Sequence, residues 1–163
     1  MILKHDTPQI FFLHPGDVAV GFTDDKFETL LGSCVSILLV SPCFNVAAIC
    51  HYVHSSAPPR SRIRDASFAS VAMRKMEHQL NHVGFNARLC RAYVFGGGNM
   101  FPGKNNMMDV GSMNVDWAFH YLERHKIPVF GSDIGNNYYR KLTWIVGPSD
   151  PLLAIQAVSV NPS

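Results

Sequence analysis

An α+β fold is the expectation for this chain, on three observations. Several short β-branched and aromatic runs follow one another in the first fifty residues. Two later segments repeat their apolar residues at helical spacing, and helices and strands do not alternate regularly as a doubly wound sheet requires. The 163 residues are 47% hydrophobic and 16% charged, which suits one domain with a substantial buried core rather than a disordered chain. A net charge of +2 gives no reason to expect a nucleic-acid or membrane-surface partner. No apolar run approaches the roughly 20 residues that span a bilayer, and the start of the chain lacks the pattern of a signal peptide. A cytoplasmic protein with reduced thiols at Cys34, Cys43, Cys50 and Cys90 is therefore expected.

Residues 1–9 read as a peripheral lead-in, with Thr7-Pro8 favouring extended backbone. Ile10–Leu13 and Val18–Phe22 are expected strands around the turn His14-Pro15-Gly16-Asp17, and Phe27–Leu31 follows the polar turn at 23–26. The stretch Val35 to His51 reads as an apolar hairpin whose loop is Ser41-Pro42-Cys43-Phe44. If Val40 pairs with Asn45, Cys34 falls directly opposite His51, with Cβ atoms about 4.5–5.5 Å apart on one face. A slip of one residue would bring Cys50 level with Cys34 instead.

A thiol beside an imidazole is a nucleophile beside a base. The same pair also suits a structural cysteine next to a histidine at a strand end. Gly32-Ser33 immediately before Cys34 favours chemistry, since a turn there lets a ligand approach and can aim N–H groups at a developing oxyanion. Cys43, Cys50, His51 and His54 lack the tight Cys-x-x-Cys spacing of a structural zinc site.

Further along, Arg60, Arg62 and Arg64 lie in a Pro/Ser-rich segment that reads either as a solvated loop or as a grip for acidic groups. A helix is expected from Asp65, its N-cap, to a stop at Gly84, with Phe68, Val71, Ala72, Met76 and Leu80 on its apolar face. Arg88–Phe95 reads as a strand. The glycines of Gly96-Gly97-Gly98-Asn99 do not have dinucleotide-binding spacing; they mark a tight turn or close backbone approach. Met100–Asp109 is expected to be a loop, and Ser112 or Asn114 to cap a helix over Val115–His125. Val129–Ser132 and Lys141–Val146 are expected strands joined by a turn at Asp133–Tyr139, and the tail from about 148 to 163 is left unassigned.

Four motifs in order resemble one family. Thr29-Leu30-Leu31-Gly32-Ser33-Cys34-Val35 with a histidine seventeen positions after the cysteine, the run Val94-Phe95-Gly96-Gly97-Gly98-Asn99-Met100, Gly111-Ser112-Met113-Asn114, and Asp133-Ile134-Gly135-Asn136-Asn137-Tyr138-Tyr139-Arg140-Lys141 are similar to segments of CheD, the chemoreceptor glutamine deamidase of bacterial chemotaxis. The likeness covers about Gly16 to Val146. It implies a sandwich of mixed β-sheets with helices packed outside, similar to the deamidase domain of cytotoxic necrotizing factor toxins. It also implies a protein-glutamine deamidase that works through a thioester on Cys34, with His51 as base and no cofactor or metal.

The family's third member is a threonine shortly before the cysteine. Thr29 is taken for that role here and Glu28 is its rival, because strand neighbours point to opposite faces. Gly32 and Ser33 are expected at the oxyanion. The implied partners are the cytoplasmic helices of methyl-accepting chemoreceptors and CheC, a phosphatase of phosphorylated CheY. A regulatory module that docks onto such partners with little turnover, and a cysteine hydrolase of another amide or ester, are the alternatives.

Overall fold

The computed structural model describes residues 6–103 and 109–158. Residues 1–5 of the expected lead-in, 104–108 of the Met100–Asp109 loop and 159–163 of the tail lie outside them.

Among the described residues are nine strands and two α-helices: β1 (Ile10–Leu13), β2 (Val18–Phe22), β3 (Lys26–Leu31), β4 (Val35–Val40), β5 (Val46–Cys50), α1 (Ala69–His82), β6 (Arg91–Gly96), α2 (Val110–Arg124), β7 (Val129–Ile134), β8 (Tyr138–Ile145) and β9 (Leu152–Ala157). They make two sheets, β1-β3-β8-β9 and β2-β5-β4-β6-β7. Each sheet is mixed, because β1 runs parallel to β3 and β6 parallel to β7. The expected α+β sandwich of mixed sheets is thus what the chain forms. The unassigned tail supplies β9, which pairs with β8 at the sheet edge.

Side-chain patterns show why the layers stack this way. In β3, Phe27, Thr29 and Leu31 are buried while Leu30 between them is exposed, the period-two signature of a sheet with one covered face. β4 is buried on both sides along its whole length. Leu38 and Val40 meet Phe27, Leu142 and Trp144 of the facing sheet. Val35, Ile37 and Leu39 meet Met73 and Met76 of α1 and Ala118 and Leu122 of α2. Both helices cover the outer face of the five-stranded sheet, so that sheet is the middle of three layers.

Several expected boundaries move. Val40 pairs with Ala47 and Val35 bridges Tyr52, a register two residues away from the expected pairing of 40 with 45. The loop is Pro42–Asn45, because Ser41 N–H bonds Val46 O and Ser41 Oγ accepts from Asn45 and Val46 N–H. Phe44 takes φ +57 within it.

Asp65 does not cap α1. Its carboxylate accepts from Ser67 N–H at 2.9 Å and from Arg62, an Asx turn. Residues 67–69 are held to His54 by His54 N–H to Ser67 O and Ala69 N–H to His54 O, which delays the helix to Ala69. Arg62 also lies over the Phe68 ring.

Residues 87–89 form a 3₁₀ turn, so the strand expected from Arg88 starts at Arg91. Asp109, whose Oδ1 accepts from Gly111 N–H, caps α2 five residues before the expected start. The turn between β7 and β8 shrinks to 135–137, since Asp133 stays in strand and takes Arg140 Nε at 2.9 Å.

Gly96 ends β6 at φ +108, and a Cβ there would press into the Cys34 carbonyl oxygen. Gly96→Ala is expected to lower unfolding stability by about 1–3 kcal/mol, through left-handed strain plus that collision. Urea denaturation of the two proteins measures it.

Candidate functional site

Thr29, Cys34 and His51 reach the space between the sheets from three backbone segments. Thr29 shares its inward face with Phe27 and Leu31 and is fully buried. Val35 and Tyr52 exchange both backbone bonds, at 3.1 and 3.0 Å. With Leu38 opposite Ile49, that register sets His51 opposite Ser36, not Cys34. Cys34 is therefore the diagonal neighbour of His51. A shift of two residues preserves side-chain parity, so both still face the other sheet. Cys34 packs there beside the inter-sheet core and is half-buried. Cys50, one residue from His51, points instead to the helix side.

His51 is fixed at both ends. Its backbone O accepts from Gly16 N–H and its N–H donates to Asp17 O, so the turn between β1 and β2 anchors the strand. In the ring, Nδ1 lies 2.8 Å from Thr29 Oγ1, and the Thr29 hydroxyl donates to Leu13 O at 2.8 Å. A hydroxyl has one proton. With it committed to the Leu13 carbonyl, Thr29 Oγ1 accepts from Nδ1–H, and the lone pair of the neutral ring is on Nε2. Nε2 is buried and has no partner among the described residues. Glu28 faces the other way and pairs with Lys26 at 2.8 Å.

Burial holds the His51 pKa down at about 4 and outweighs Asp17, which raises it; His14 lowers it further and the Leu13 carbonyl raises it. Burial also pushes the Cys34 thiol up, partly offset by its own backbone N–H. At neutral pH the pair rests as thiol and neutral imidazole.

The glycine run frames the cysteine. Gly98 N–H donates to Gly32 O at 2.9 Å and Gly97 N–H to Cys34 O at 2.8 Å. Gly97 and Gly111 pack so closely that neither has room for a side chain, which brings the start of α2 against the same loop. Asn114 from α2 is buried, and its Nδ2 donates to Ser33 O at 3.0 Å and to Val53 O at 2.9 Å. Sequence reasoning placed Asn114 in a family-like motif and as a helix cap, without a role at the site. It also passed over Ser36, whose buried Oγ has no partner among the described residues. Its place opposite His51 could have been found only with the correct register.

The other residues singled out lie elsewhere. Cys43 is exposed in the hairpin loop and Cys50 is buried under the helices, so these two do not converge with His51 and His54. Among the described residues no three His, Cys, Asp or Glu side chains are grouped as metal ligands. Arg60, Arg62 and Arg64 are exposed, and Arg62 is engaged by Asp65. No helix among the described residues is long and apolar enough to cross a membrane.

Comparison with known proteins follows the same lines. A family model described as CheD chemotactic sensory transduction matches residues 54–149. The probable chemoreceptor glutamine deamidase CheD 2 of Albidiferax ferrireducens is 32% identical over 148 residues, covering 88% of this chain and 85% of the relative. The probable chemoreceptor glutamine deamidase CheD 3 of Dechloromonas aromatica is 33% identical over 146 residues, with the same coverage. The probable chemoreceptor glutamine deamidase CheD of Pseudomonas syringae pv. tomato is 30% identical over 155 residues, covering 91% and 90%. These relatives span the hairpin as well as the region matched by the family model, and on them the chain belongs to the CheD family.

Proposed function

We propose that this protein is a cytoplasmic glutamine deamidase that converts glutamine side chains on the cytoplasmic helices of chemoreceptors to glutamate, with Cys34 as nucleophile, His51 as base and Thr29 as the group that orients the base. The observation that carries the proposal is the Leu13–Thr29–His51 hydrogen-bond chain. It leaves the basic nitrogen of His51 unpartnered on the face that Cys34 occupies. The names of the relatives supply the substrate class. The family resemblance adds CheC as a further partner and the toxin deamidase domain as a comparison for the scaffold.

The chemistry follows from the resting state. Since the thiol is pushed up and the imidazole down, the thiol proton moves as the carbon–sulfur bond forms rather than beforehand. The Cys34 sulfur attacks the carboxamide carbon, His51 Nε2 takes the thiol proton, and the carbonyl pair becomes an oxyanion. Collapse of this intermediate breaks the carbon–nitrogen bond, and the proton on His51 leaves with ammonia. Water then adds to the thioester while His51 Nε2 accepts its proton. The second collapse releases glutamate and returns the proton to sulfur. Each proton in these steps passes between side chains, substrate and water.

Purified protein mixed with a receptor cytoplasmic fragment is expected to convert glutamine to glutamate, read by peptide mass spectrometry. Cys34→Ala should abolish conversion; conversion that persists in it sinks the proposed nucleophile. Thr29→Val should lower kcat about 10–10²-fold with little change in KM, while Thr29→Ser retains most activity. An unchanged kcat in the valine variant would remove Thr29 from the site.

The depressed His51 pKa also predicts how stability varies with pH. An unfolded imidazole takes a proton near pH 6.5, whereas the folded ring does so at about 4. The unfolded chain binds more protons between those values, so the contribution is complete above 6.5 and is lost as pH falls toward 4. Going from pH 7 to 5 should cost about 2 kcal/mol at this site. His51→Gln should show a correspondingly smaller loss in urea denaturation at the two pH values.

A further inference from the structure

We infer that Asn114 is a positioning residue for the oxyanion site: it anchors the Ser33 carbonyl so that the Cys34 N–H is presented to the substrate. The inference rests on the deamidase reading above and adds a part to it.

Three consecutive carbonyls in the cysteine loop are tied down from one region of the fold. Gly32 O accepts from Gly98 N–H, Ser33 O from Asn114 Nδ2, and Cys34 O from Gly97 N–H. A trans peptide is planar, and its N–H points opposite to its C=O. Anchoring Ser33 O toward α2 therefore turns Cys34 N–H away from α2. Anchoring Gly32 O on Gly98 N–H likewise turns Ser33 N–H away from the glycine loop. Among the described residues neither N–H has a protein acceptor beyond the sulfur of Cys34 itself. A donor next to the attacking sulfur, with its direction fixed and no acceptor among the described residues beyond that sulfur, is what a tetrahedral oxyanion needs.

Asn114 is itself held firmly enough to set that direction. Its carbonyl accepts from the Tyr52 hydroxyl. Its Nδ2 bridges Ser33 O and Val53 O, two residues beyond His51. Both partners of the amide are acceptors, so the NH₂ group and not Oδ1 faces them. One side chain thus links the nucleophile's loop to the strand of the base, and Oδ1 is left buried without a partner among the described residues.

The test uses two reagents that make different demands on the site. A receptor peptide whose target glutamine carboxamide is replaced by an aldehyde adds the Cys34 sulfur at its carbonyl carbon, with the thiol proton passing to His51, and so creates an oxyanion. Iodoacetamide alkylates the same sulfur with loss of iodide and creates none. In Asn114→Ala we expect kcat for receptor deamidation and affinity for the peptide aldehyde to fall together, about 10²-fold, with alkylation of Cys34 at pH 9 unchanged. Equal loss in all three would mean that the site as a whole has collapsed, and it would overturn the inference. So would aldehyde affinity equal to that of the parent protein.

In the parent protein, independent of any variant's folding, the Cys34 amide proton should move downfield in the NMR spectrum when the aldehyde adds. An unmoved amide also overturns the inference. If the parent protein neither deamidates receptor nor reacts with the aldehyde at Cys34, the deamidase reading itself fails, a result distinct from the others.

Discussion

One hydrogen bond between the two sheets sets the chemistry of the site. Thr29 Oγ1 and His51 Nδ1 lie 2.8 Å apart in a fully buried space. The imidazole can rotate about its side-chain bonds in solution, and only packing plus a specific partner holds one orientation. Here the strand supplies the backbone position, the facing sheet supplies the partner, and the Leu13 carbonyl decides which of the two groups donates. A sandwich is a suitable scaffold for this. Its layers are about 10 Å apart, so side chains from opposite sheets meet in the middle without either backbone leaving its ladder.

Burial has a second effect. Taking the thiol and the imidazole out of water disfavours their charged forms, and the two pKa values move apart. Thiol and imidazole are both neutral at rest, and under the proposed mechanism charge develops only when a substrate carbonyl is attacked. In the proposed mechanism the site then relies on fixed geometry and oriented backbone dipoles rather than on a standing ion pair. This is consistent with a loop whose carbonyls are tied one after another, and with glycines wherever that loop touches its neighbours.

Much of this was legible in the residues. Alternation and β-branching located the strands, and Gly-Ser-Cys with a histidine seventeen residues on marked the candidate pair. The register was not legible, because the hairpin loop is set by the Ser41 hydroxyl capping Asn45 and Val46 N–H, and an apolar run pairs equally well two residues either way. Parity survived the error, since strands repeat every two residues. Asp65 and Asn114 were misread for a common reason. Each is a residue type that caps helices, and each is drawn instead into a longer-range or local backbone contact that sequence spacing does not reveal.

Leu13 belongs to β1, a four-residue strand at the margin of its sheet, paired among the described residues with β3 alone. If that strand lifts, the Thr29 hydroxyl loses its acceptor and can turn its proton toward the ring. The imidazole would then carry hydrogen on Nε2, and the nitrogen that now offers a lone pair would become a donor. The acid–base character of an interior histidine is thus governed by how well a short peripheral segment stays seated.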